Sequence, residues 1–299
     1  MMYHSFASPL LRWHFCSNFL LALSFFLCYS LLSSCVLVRP YTADNQPEFY
    51  ANNIAAGNST RHDSLKIVSF NIKKAQKTAL AAQELLQWQQ SERVDICLLQ
   101  EMDEQGVASL SRALGLNYLY IPSVYHLKLH KNIGNAILTT ASIVHPRQLN
   151  LPHKKWLSKW RRNIAIGEMT IGGNPILVMS VHRETIMMSR KNRTGQLEAI
   201  TEYARLQMPL YRYIIVGGDF NTLFGADGAR VVKEFRDIGF EWTTANTGST
   251  AHAFLGMVHP TLDYLFTYGL TLLHAGKLEN SAASDHYPVF ATCRFNKAF

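Results

Sequence analysis

The sequence is poor in cysteine, and its few cysteines are spaced for neither a disulfide framework nor a zinc site. Five cysteines occur among 299 residues. Cys16, Cys28 and Cys35 lie in an apolar N-terminal segment, whereas Cys97 and Cys293 lie in apolar runs typical of core strands. Small disulfide-stapled folds and zinc-finger folds are therefore excluded. We expect Cys97 and Cys293 to be buried as small apolar side chains.

Acidic residues are also scarce. The chain has 21 Asp and Glu against 29 Lys and Arg, for a net charge of +8, and the stretch from Gln105 to Gly167 contains no acidic residue at all. This balance favours anionic partners such as nucleic acid, phosphorylated small molecules or acidic lipid surfaces. Internal repeats and low-complexity tracts are absent as well, which excludes solenoid and repeat-array folds.

Charge is missing altogether from one long segment near the N-terminus. Between Arg12 and Arg39 there is no Lys, Arg, Asp or Glu, and the apolar centre runs from Phe19 to Leu32. A run of this length can span a bilayer and is too long and continuous for a buried core helix. We therefore expect residues 1–39 to be a signal or membrane-anchor segment that takes no part in the folded domain.

Three forms of this segment remain open. It can be a single transmembrane span, a lipoprotein signal or a cleaved secretory signal. Leu32-Ser33-Ser34-Cys35 resembles a lipobox, in which the cysteine is acylated. We expect a lipid anchor at Cys35 or a membrane span, with simple secretion as the third alternative. The corresponding localisation is membrane-associated or in the cell envelope.

The rest of the chain divides into a linker and one domain. Residues 40–64 are polar and are predicted to be a tether, and residues 65–299 are predicted to form the domain. Short apolar runs typical of strands alternate with helical stretches at 75–91 and 196–208. Because several strands follow one another between 134 and 181, the pattern favours an α/β fold with mixed rather than purely parallel sheets.

Polar side chains follow several of these apolar runs directly. Glu101 follows one run, Asp219 and Asn221 follow another, and Asp285 with His286 precedes the last strand. Oxygen ligands of this kind suit a hard divalent cation, and an imidazole beside a carboxylate suits cleavage of a phosphate ester. Taken singly, the carboxylates are also typical of solvated loops, and Asp219 with Asn221 of an Asx turn.

Two further residues strengthen this set. Asp263 lies within an apolar strand-like run, where an unpaired carboxylate is costly to bury, and we expect His286 to be its partner. His182 is a second imidazole at a strand end. Taken alone, His182 is more typical of a structural histidine than of a catalytic one.

In their order along the chain, these segments resemble the motifs of the endonuclease/exonuclease/phosphatase superfamily. That family includes deoxyribonuclease-like enzymes, apurinic endonucleases, sphingomyelinases and inositol-polyphosphate phosphatases. One feature departs from the commonest pattern, because Arg183-Glu184 follows His182 where an apolar residue is more usual. The resemblance covers residues 65–296 and rests on Ser69-Phe70-Asn71, Leu99-Gln100-Glu101, Gly134-Asn135-Ala136-Ile137-Leu138, Ser180-Val181-His182, Gly218-Asp219-Phe220-Asn221, Leu262-Asp263-Tyr264 and Ser284-Asp285-His286-Tyr287-Pro288.

The resemblance implies a fold and a cofactor. The fold is a four-layer α/β sandwich, in which two mixed β-sheets pack face to face and are flanked by helices. The cofactor is Mg²⁺ or Mn²⁺, held chiefly by Glu101, with Asn71 and Asp285 near it. Such a metal polarises a phosphoryl oxygen, and an activated water attacks phosphorus in line without a covalent enzyme intermediate.

The resemblance also implies roles for the other polar residues. Asp219 and Asn221 orient the attacking water and the phosphate. His286, backed by Asp263, contacts the scissile phosphate, and His182 faces it from the opposite side. Whether Asp219 or a histidine accepts the proton of the water stays open at this point.

The stretch without acidic residues is the candidate substrate-binding region. Basic residues interleaved with aromatic ones can follow a phosphate backbone and stack bases, or they can face an anionic lipid surface. A solvated basic face, with Trp156 and Trp160 packed inward at helical spacing, is the remaining alternative. Family members use an arginine in this region on the phosphate, which makes Arg161 and Arg162 candidates together with Asn135. The basic residues of the stretch are Arg112, Lys128, Lys131, Arg147, Lys154, Lys155, Lys159, Arg161 and Arg162.

The sequence therefore predicts a Mg²⁺- or Mn²⁺-dependent phosphoric ester hydrolase. The first hypothesis is a phosphodiesterase or nuclease that is anchored at a membrane or exported across it. One alternative is a phospholipid, phosphoinositide or sphingomyelin hydrolase. The other is an inactive binding module, which is disfavoured because every expected polar position is occupied. We expect a monomer without a protein partner.

Overall fold

The structure is a computed structural model that describes residues 38–41, 50–53, 63–155, 159–253 and 256–296. Nearly all of the predicted anchor segment, including Cys35, lies outside these ranges, and so does Trp156. Among the described residues, no helix combines the length and the apolar character needed to cross a membrane. The membrane anchor therefore stays a prediction.

Fourteen strands in the described residues form two mixed sheets. Sheet A has the order β1-β5-β6-β4-β3-β14-β13, with β2 also paired to β5. Its strands are β1 (Val38–Pro40), β2 (Tyr50–Asn52), β3 (Ser64–Asn71), β4 (Ile96–Met102), β5 (Asn117–His126), β6 (Lys131–Thr139), β13 (Leu270–Lys277) and β14 (Val289–Phe295).

Sheet B has six strands in the order β11-β12-β10-β9-β8-β7. Within it β9 and β10 are parallel, and the other neighbours are antiparallel. Its strands are β7 (Val144–Asn150), β8 (Asn163–Ile171), β9 (Asn174–His182), β10 (Tyr213–Asp219), β11 (Glu241–Trp242) and β12 (Asp263–Tyr268).

Three apolar layers hold the sandwich together. The central one joins the two sheets face to face, with side chains such as Leu98 and Ile137 from sheet A against Val178 and Ile215 from sheet B. The outer layers bury the helices on the far face of each sheet. The fold is the four-layer arrangement that the sequence predicts. Its helices are α1 (Thr78–Ser91) and α2 (Glu104–Leu114) on sheet A, and α3 (Arg190–Gln207) and α4 (Gly225–Asp237) on sheet B.

Two short strands lie within the segments expected to be anchor and tether. β1 and β2 both pair antiparallel with β5, through Val38 opposite His126 and through Tyr50 opposite Tyr120. Backbone pairing thus holds these six residues against sheet A. The domain boundaries themselves stay predictions.

Strand direction creates one polar edge that the two sheets share. β3 and β4 are parallel, as are β9 and β10, and all four end at this edge. Their antiparallel neighbours β6, β8, β12 and β14 begin there. The two sheets meet at the edge, because Asn71 at the end of β3 lies 2.9 Å from Asp219 at the end of β10 (Nδ2 to Oδ2). Side chains from many distant segments therefore converge in one place.

Candidate active site

A row of three polar residues crosses sheet B at the polar edge. His182 of β9 and Asp263 of β12 both stand opposite Asp219 of β10 in the strand register. All three are buried. Gly218, just before Asp219, has φ +145°, and a Cβ atom there would lie 1.9 Å from the Val181 carbonyl oxygen. Only glycine allows β10 to approach β9 this closely, which sets Asp219 beside His182.

Asp263, which is buried, pairs with the half-buried His286. His286 Nδ1 lies 2.8 Å from Asp263 Oδ2, and the same oxygen accepts a hydrogen bond of 2.7 Å from Thr250 Oγ1. Thr250 Oγ1 in turn accepts the backbone N–H groups of Leu262 and Asp263. The carboxylate is thus fixed from two sides and orients the imidazole, as the sequence analysis expected.

The charges of this pair and of Asp219 follow from their surroundings. Burial opposes the charged form of His286, but the carboxylates of Asp263, Asp219 and Asp285 outweigh it and raise the pKa of His286 to about 10. Burial also raises the pKa of Asp219 to about 7, against the opposing influence of His286 3.9 Å away (Nε2 to Oδ2). At neutral pH the site therefore holds an imidazolium beside a carboxylate that exchanges its proton near pH 7.

His182 has the opposite character to His286. Burial, and then the nearby Arg162 guanidinium, hold the pKa of His182 well below its usual value. Arg162 Nη1 lies 3.0 Å from His182 Nδ1. Because a guanidinium can only donate, Nδ1 must accept and the ring proton sits on Nε2. That nitrogen lies 3.5 Å from Asp219 Oδ2 and 3.9 Å from Glu101 Oε1.

Arg162 is itself held by a carboxylate that the sequence analysis did not use. Glu184 is fully buried, and its Oε2 lies 3.4 Å from Arg162 Nε. Burial disfavours its charge, but Arg162 and Lys155 outweigh this and keep the pKa of Glu184 below its usual value. Arg162 also lies over the Trp160 ring, 4.2 Å from the centroid. Glu184, which departs from the commonest family pattern, thus holds Arg162 against His182 of the site.

Asn71 and Asn221 hold Asp219 in place. Asn71 Nδ2 donates to Asp219 Oδ2 at 2.9 Å, and the backbone N–H of Asn221 donates to Asp219 Oδ1 at 2.8 Å. The Asn221 side chain is turned away from Asp219, because its Nδ2 donates to the Arg183 carbonyl oxygen. Asn221 has φ +52°, an uncommon conformation outside glycine that is enriched at functional positions.

Each predicted metal ligand lies near a residue of this site: Glu101 near His182, Asn71 near Asp219 and Asp285 near His286. Glu101 has φ +58° at the point where the pairing of β4 with β6 shifts register. Within the described residues the nearest ionisable partner of Glu101 is His182, at 3.9 Å (Oε1 to Nε2), and no hydrogen bond reaches its carboxylate. Asn71 Oδ1 accepts the Lys73 N–H, and Lys73 Nζ lies 2.9 Å from Asp285 Oδ2. Two carboxylates and an amide oxygen are a donor set that fits Mg²⁺ or Mn²⁺.

One group of carboxylate and imidazole side chains in the described residues has metal-like spacing. Oxygen atoms of Asp219 and Asp263 and a nitrogen of His286 lie within 4.8 Å of one another. The carboxylates around His286 favour its protonated form, which does not bind a metal. Glu101, Asn71 and Asp285 stay the predicted ligands of the cation.

Other predicted site residues lie in different surroundings. Of the two candidate arginines, Arg162 is buried in the site and Arg161 is exposed. Asn135 is buried, and its Nδ2 donates to the Asn163 carbonyl oxygen, which ties β6 to β8. Trp160 is buried outside any helix, beside Val124. The Trp160 ring packs inward under Arg162, as the alternative of inward-packed tryptophans expected, but not on a helix, and Trp156 lies outside the described residues.

Comparison with known proteins places this geometry in a wider context. The sequence model of the Endonuclease/Exonuclease/phosphatase family matches residues 68–286. No curated protein matches the chain.

Solved structures with the same fold are numerous but distant in sequence. A family protein from Leptotrichia buccalis is 17% identical over 77% of this chain and 100% of its own, with a TM-score of 0.61. D. rerio TDP2, complexed with a single-strand DNA product, is 19% identical over 79% and 100%, with a TM-score of 0.62. The mannosyl-6-phosphatase of Bacteroides thetaiotaomicron is 19% identical over 77% and 100%, with a TM-score of 0.61. At these identities the likeness establishes the fold.

Proposed function

The chain belongs to the endonuclease/exonuclease/phosphatase family, and on that premise we propose that it is a metal-dependent hydrolase of phosphate esters, foremost a phosphodiesterase. The observation that supports this most strongly is the convergence of unlike proton states in one pocket. His286 is charged, His182 is neutral, and Asp219 exchanges its proton near pH 7. Residues with pKa values pushed apart in this way are typical of acid–base sites.

Each residue then has a task in the in-line attack of water on phosphorus. Asp219, held by Asn71 and the Asn221 backbone, accepts the proton of the attacking water, because its pKa lies near the working pH. His286, oriented by Asp263, directs its charged Nε2–H at a phosphoryl oxygen. Neutral His182 presents its Nε2–H to the same pocket.

A divalent cation held by Glu101, Asn71 and Asp285 would neutralise the charge that develops on the phosphate. Glu101, Asn71 and Asp285 supply three oxygen donors for this cation at an edge that is otherwise rich in lysine. Lys73 offsets part of the negative charge through its ion pair with Asp285. Burial raises the pKa of Asp285, but Lys73 and then His286 outweigh it, and the carboxyl pKa stays below its usual value.

Nucleic acid is the first candidate substrate. Lysines lie near the approach to the site. The pKa of His126 is lowered chiefly by burial, and the positive charges of Lys74 and Lys131 lower it further. Such a basic approach suits a chain of phosphates. The likeness to D. rerio TDP2, solved with single-strand DNA product, fits this choice. A phospholipid or phosphoinositide is the second candidate, favoured by exposed apolar loops beside the pocket.

We also propose that residues 1–39 hold the domain at a membrane, through a lipid on Cys35 or a single span. Mass spectrometry of the mature protein separates these forms. An N-terminal acylated Cys35 supports the lipoprotein, an intact Met1 supports the span, and a free new N-terminus supports secretion.

The central test is hydrolysis of bis-p-nitrophenyl phosphate by the full chain with Mg²⁺ or Mn²⁺. We expect turnover that EDTA abolishes and that either metal restores. Parallel assays on p-nitrophenyl phosphate, plasmid DNA, RNA, sphingomyelin and phosphoinositides identify the ester. Binding of single-stranded DNA without turnover of any substrate would instead support the inactive binding module.

A further inference from the structure

Half of the exposed large apolar side chains among the described residues lie on three loops at the polar edge. Ten such side chains are exposed in all. We call the five on these loops the apolar half of the edge. Met257 is 76% exposed, Phe224 60% and Met187 57%, and the other two members are Ile186 and Val258.

The three loops leave sheet B side by side. The first follows His182 at the end of β9, the second follows Asp219 at the end of β10, and the third leads to Asp263 at the start of β12. Those three residues are the register row that forms the pocket. The apolar half therefore borders the candidate active site directly.

The loops carry these side chains on firmly bonded bases. In the first loop, Arg183 and Arg193 both bind Asp227, each at 2.6 Å, and Thr185 N donates to Glu184 Oε1. In the third, Ala253 and Val258 exchange backbone hydrogen bonds. Exposed apolar side chains that cluster in this way mark surfaces of contact.

The other half of the same edge is basic. The basic half lies on the segment after β3, at the start of β6 and on the segment before β8, and we define it as Lys74, Lys131, Lys155, Lys159 and Arg161. All five are at least partly exposed. A basic surface beside an apolar one complements a lipid bilayer, which has anionic headgroups at its surface and hydrocarbon chains beneath them.

We propose that this edge docks on an anionic lipid bilayer, with the apolar half inserted at the level of the headgroups and the basic half facing their phosphates. Docking would bring a lipid headgroup to His286 and Asp219, so it deepens the second candidate of the proposed function. It is a contact separate from the N-terminal segment.

Hydrogen exchange on the full chain bound to vesicles tests this contact. Because the readout is local, attachment through residues 1–39 does not mask it. On phosphatidylcholine vesicles that contain phosphatidylserine, we expect slower exchange in residues 183–189, 220–226 and 256–262. We expect no change in residues 205–212 at the opposite edge, where Leu206 and Leu210 are 54% and 73% exposed.

A matched pair of double variants sharpens the test. Phe224→Ser with Met257→Ser should abolish the protection while the chain still sediments with the vesicles, and Leu206→Ser with Leu210→Ser should leave it intact. Serine suits position 224 because Phe224 is the N-cap of α4. In a chain that lacks residues 1–39, replacing Phe224 and Met257 by serine should weaken partitioning onto the vesicles by roughly tenfold or more.

Three results would overturn the proposal. They are unchanged exchange in the three loops of vesicle-bound chain, protection by single-stranded DNA in place of vesicles, and protection by a second copy of the chain at high protein concentration alone. Turnover of bis-p-nitrophenyl phosphate needs no surface. Turnover without loop protection therefore removes the docking and keeps the hydrolase, whereas protection without turnover does the reverse.

Discussion

The two halves of the polar edge differ in chemistry although they border one pocket. The basic half comes mostly from sheet A and the turn before β8, within and beside the stretch that lacks acidic residues. The apolar half comes from the loops of sheet B. The register row between them contains neither exposed lysine nor exposed apolar side chain. Under the proposed function, catalytic chemistry and substrate choice would be built on separate parts of the fold, as is usual where rigid strands carry variable loops.

The largest effect should come from a change that leaves both halves intact. His286→Gln keeps a donor for Asp263 but removes the cation at the phosphate, so we expect kcat on bis-p-nitrophenyl phosphate to fall about a thousandfold. Binding to DNA and to vesicles should persist. His274→Ala, at an exposed histidine on β13, is the control. A loss below about tenfold in the His286 variant would contradict the assignment of the pocket.

The pH dependence of the reaction rate should be the same for any substrate, because it is set by Asp219 and His286. The pKa of Asp219 is raised to about 7, so the base is lost as pH falls through 7, and that of His286 is raised to about 10, so the acid is lost as pH rises through 10. With saturating metal, kcat/KM for the soluble diester should be about a hundredfold lower at pH 5 than at pH 8. A profile that is flat between these pH values would show that Asp219 is not the base.

Glu184 links the two halves, and breaking the link should cost stability as well as rate. It begins the loop that carries Ile186 and Met187, yet it pairs with Arg162 beside the basic half. Glu184→Gln leaves a buried guanidinium without its charge partner, so we expect a loss of about 3 kcal/mol in unfolding free energy. With Arg162 freed from His182, kcat should fall about tenfold.

The matched control for Glu184→Gln is Glu202→Gln. Glu202 is an exposed carboxylate paired with Arg205 on α3. Thermal unfolding should separate the two variants clearly. Equal midpoints would mean that the Glu184 pair adds nothing to the fold.

The smallest effect should come from a single charge of the basic half. Lys74→Ala should weaken binding of single-stranded DNA about threefold and reduce the slope of log affinity against log salt by about 0.7. Lys233→Ala, at an exposed lysine paired with Asp237 on α4, should change neither. Filter binding across a salt series measures both variants, and identical curves for the two would remove Lys74 from the nucleic-acid path.

Much of the site could be predicted because buried carboxylates need partners. Asp263 in an apolar run required one, and His286 is at 2.8 Å. The Arg183-Glu184 departure was visible in the sequence, but its partners Asp227 and Arg162 lie 44 and 22 residues away. Thr250 gave no signal, because a loop threonine becomes a carboxylate donor only through tertiary placement.

The limits of the fold prediction have a similar origin. Helix α3 was predicted from its apolar periodicity at 196–208, yet it begins at Arg190, where Ser189 caps a polar first turn. Helices α2 and α4 were not predicted at all. For α2 the signals were present as Asp103 before the helix and Gly115 after it. Capping residues therefore carried information that periodicity alone did not use.

The row of His182, Asp219 and Asp263 also has a consequence for folding. Side chains on a strand alternate between faces with a period of two, so a one-residue slip of β9 or β12 against β10 would turn one member of the row away from the pocket. His182 of β9 and Asp263 of β12 are 37 and 44 residues from Asp219 of β10 along the chain. Enzymatic activity should therefore report on strand register. We expect it to be lost in a chain whose strands occupy the correct sheet positions but are shifted by one residue.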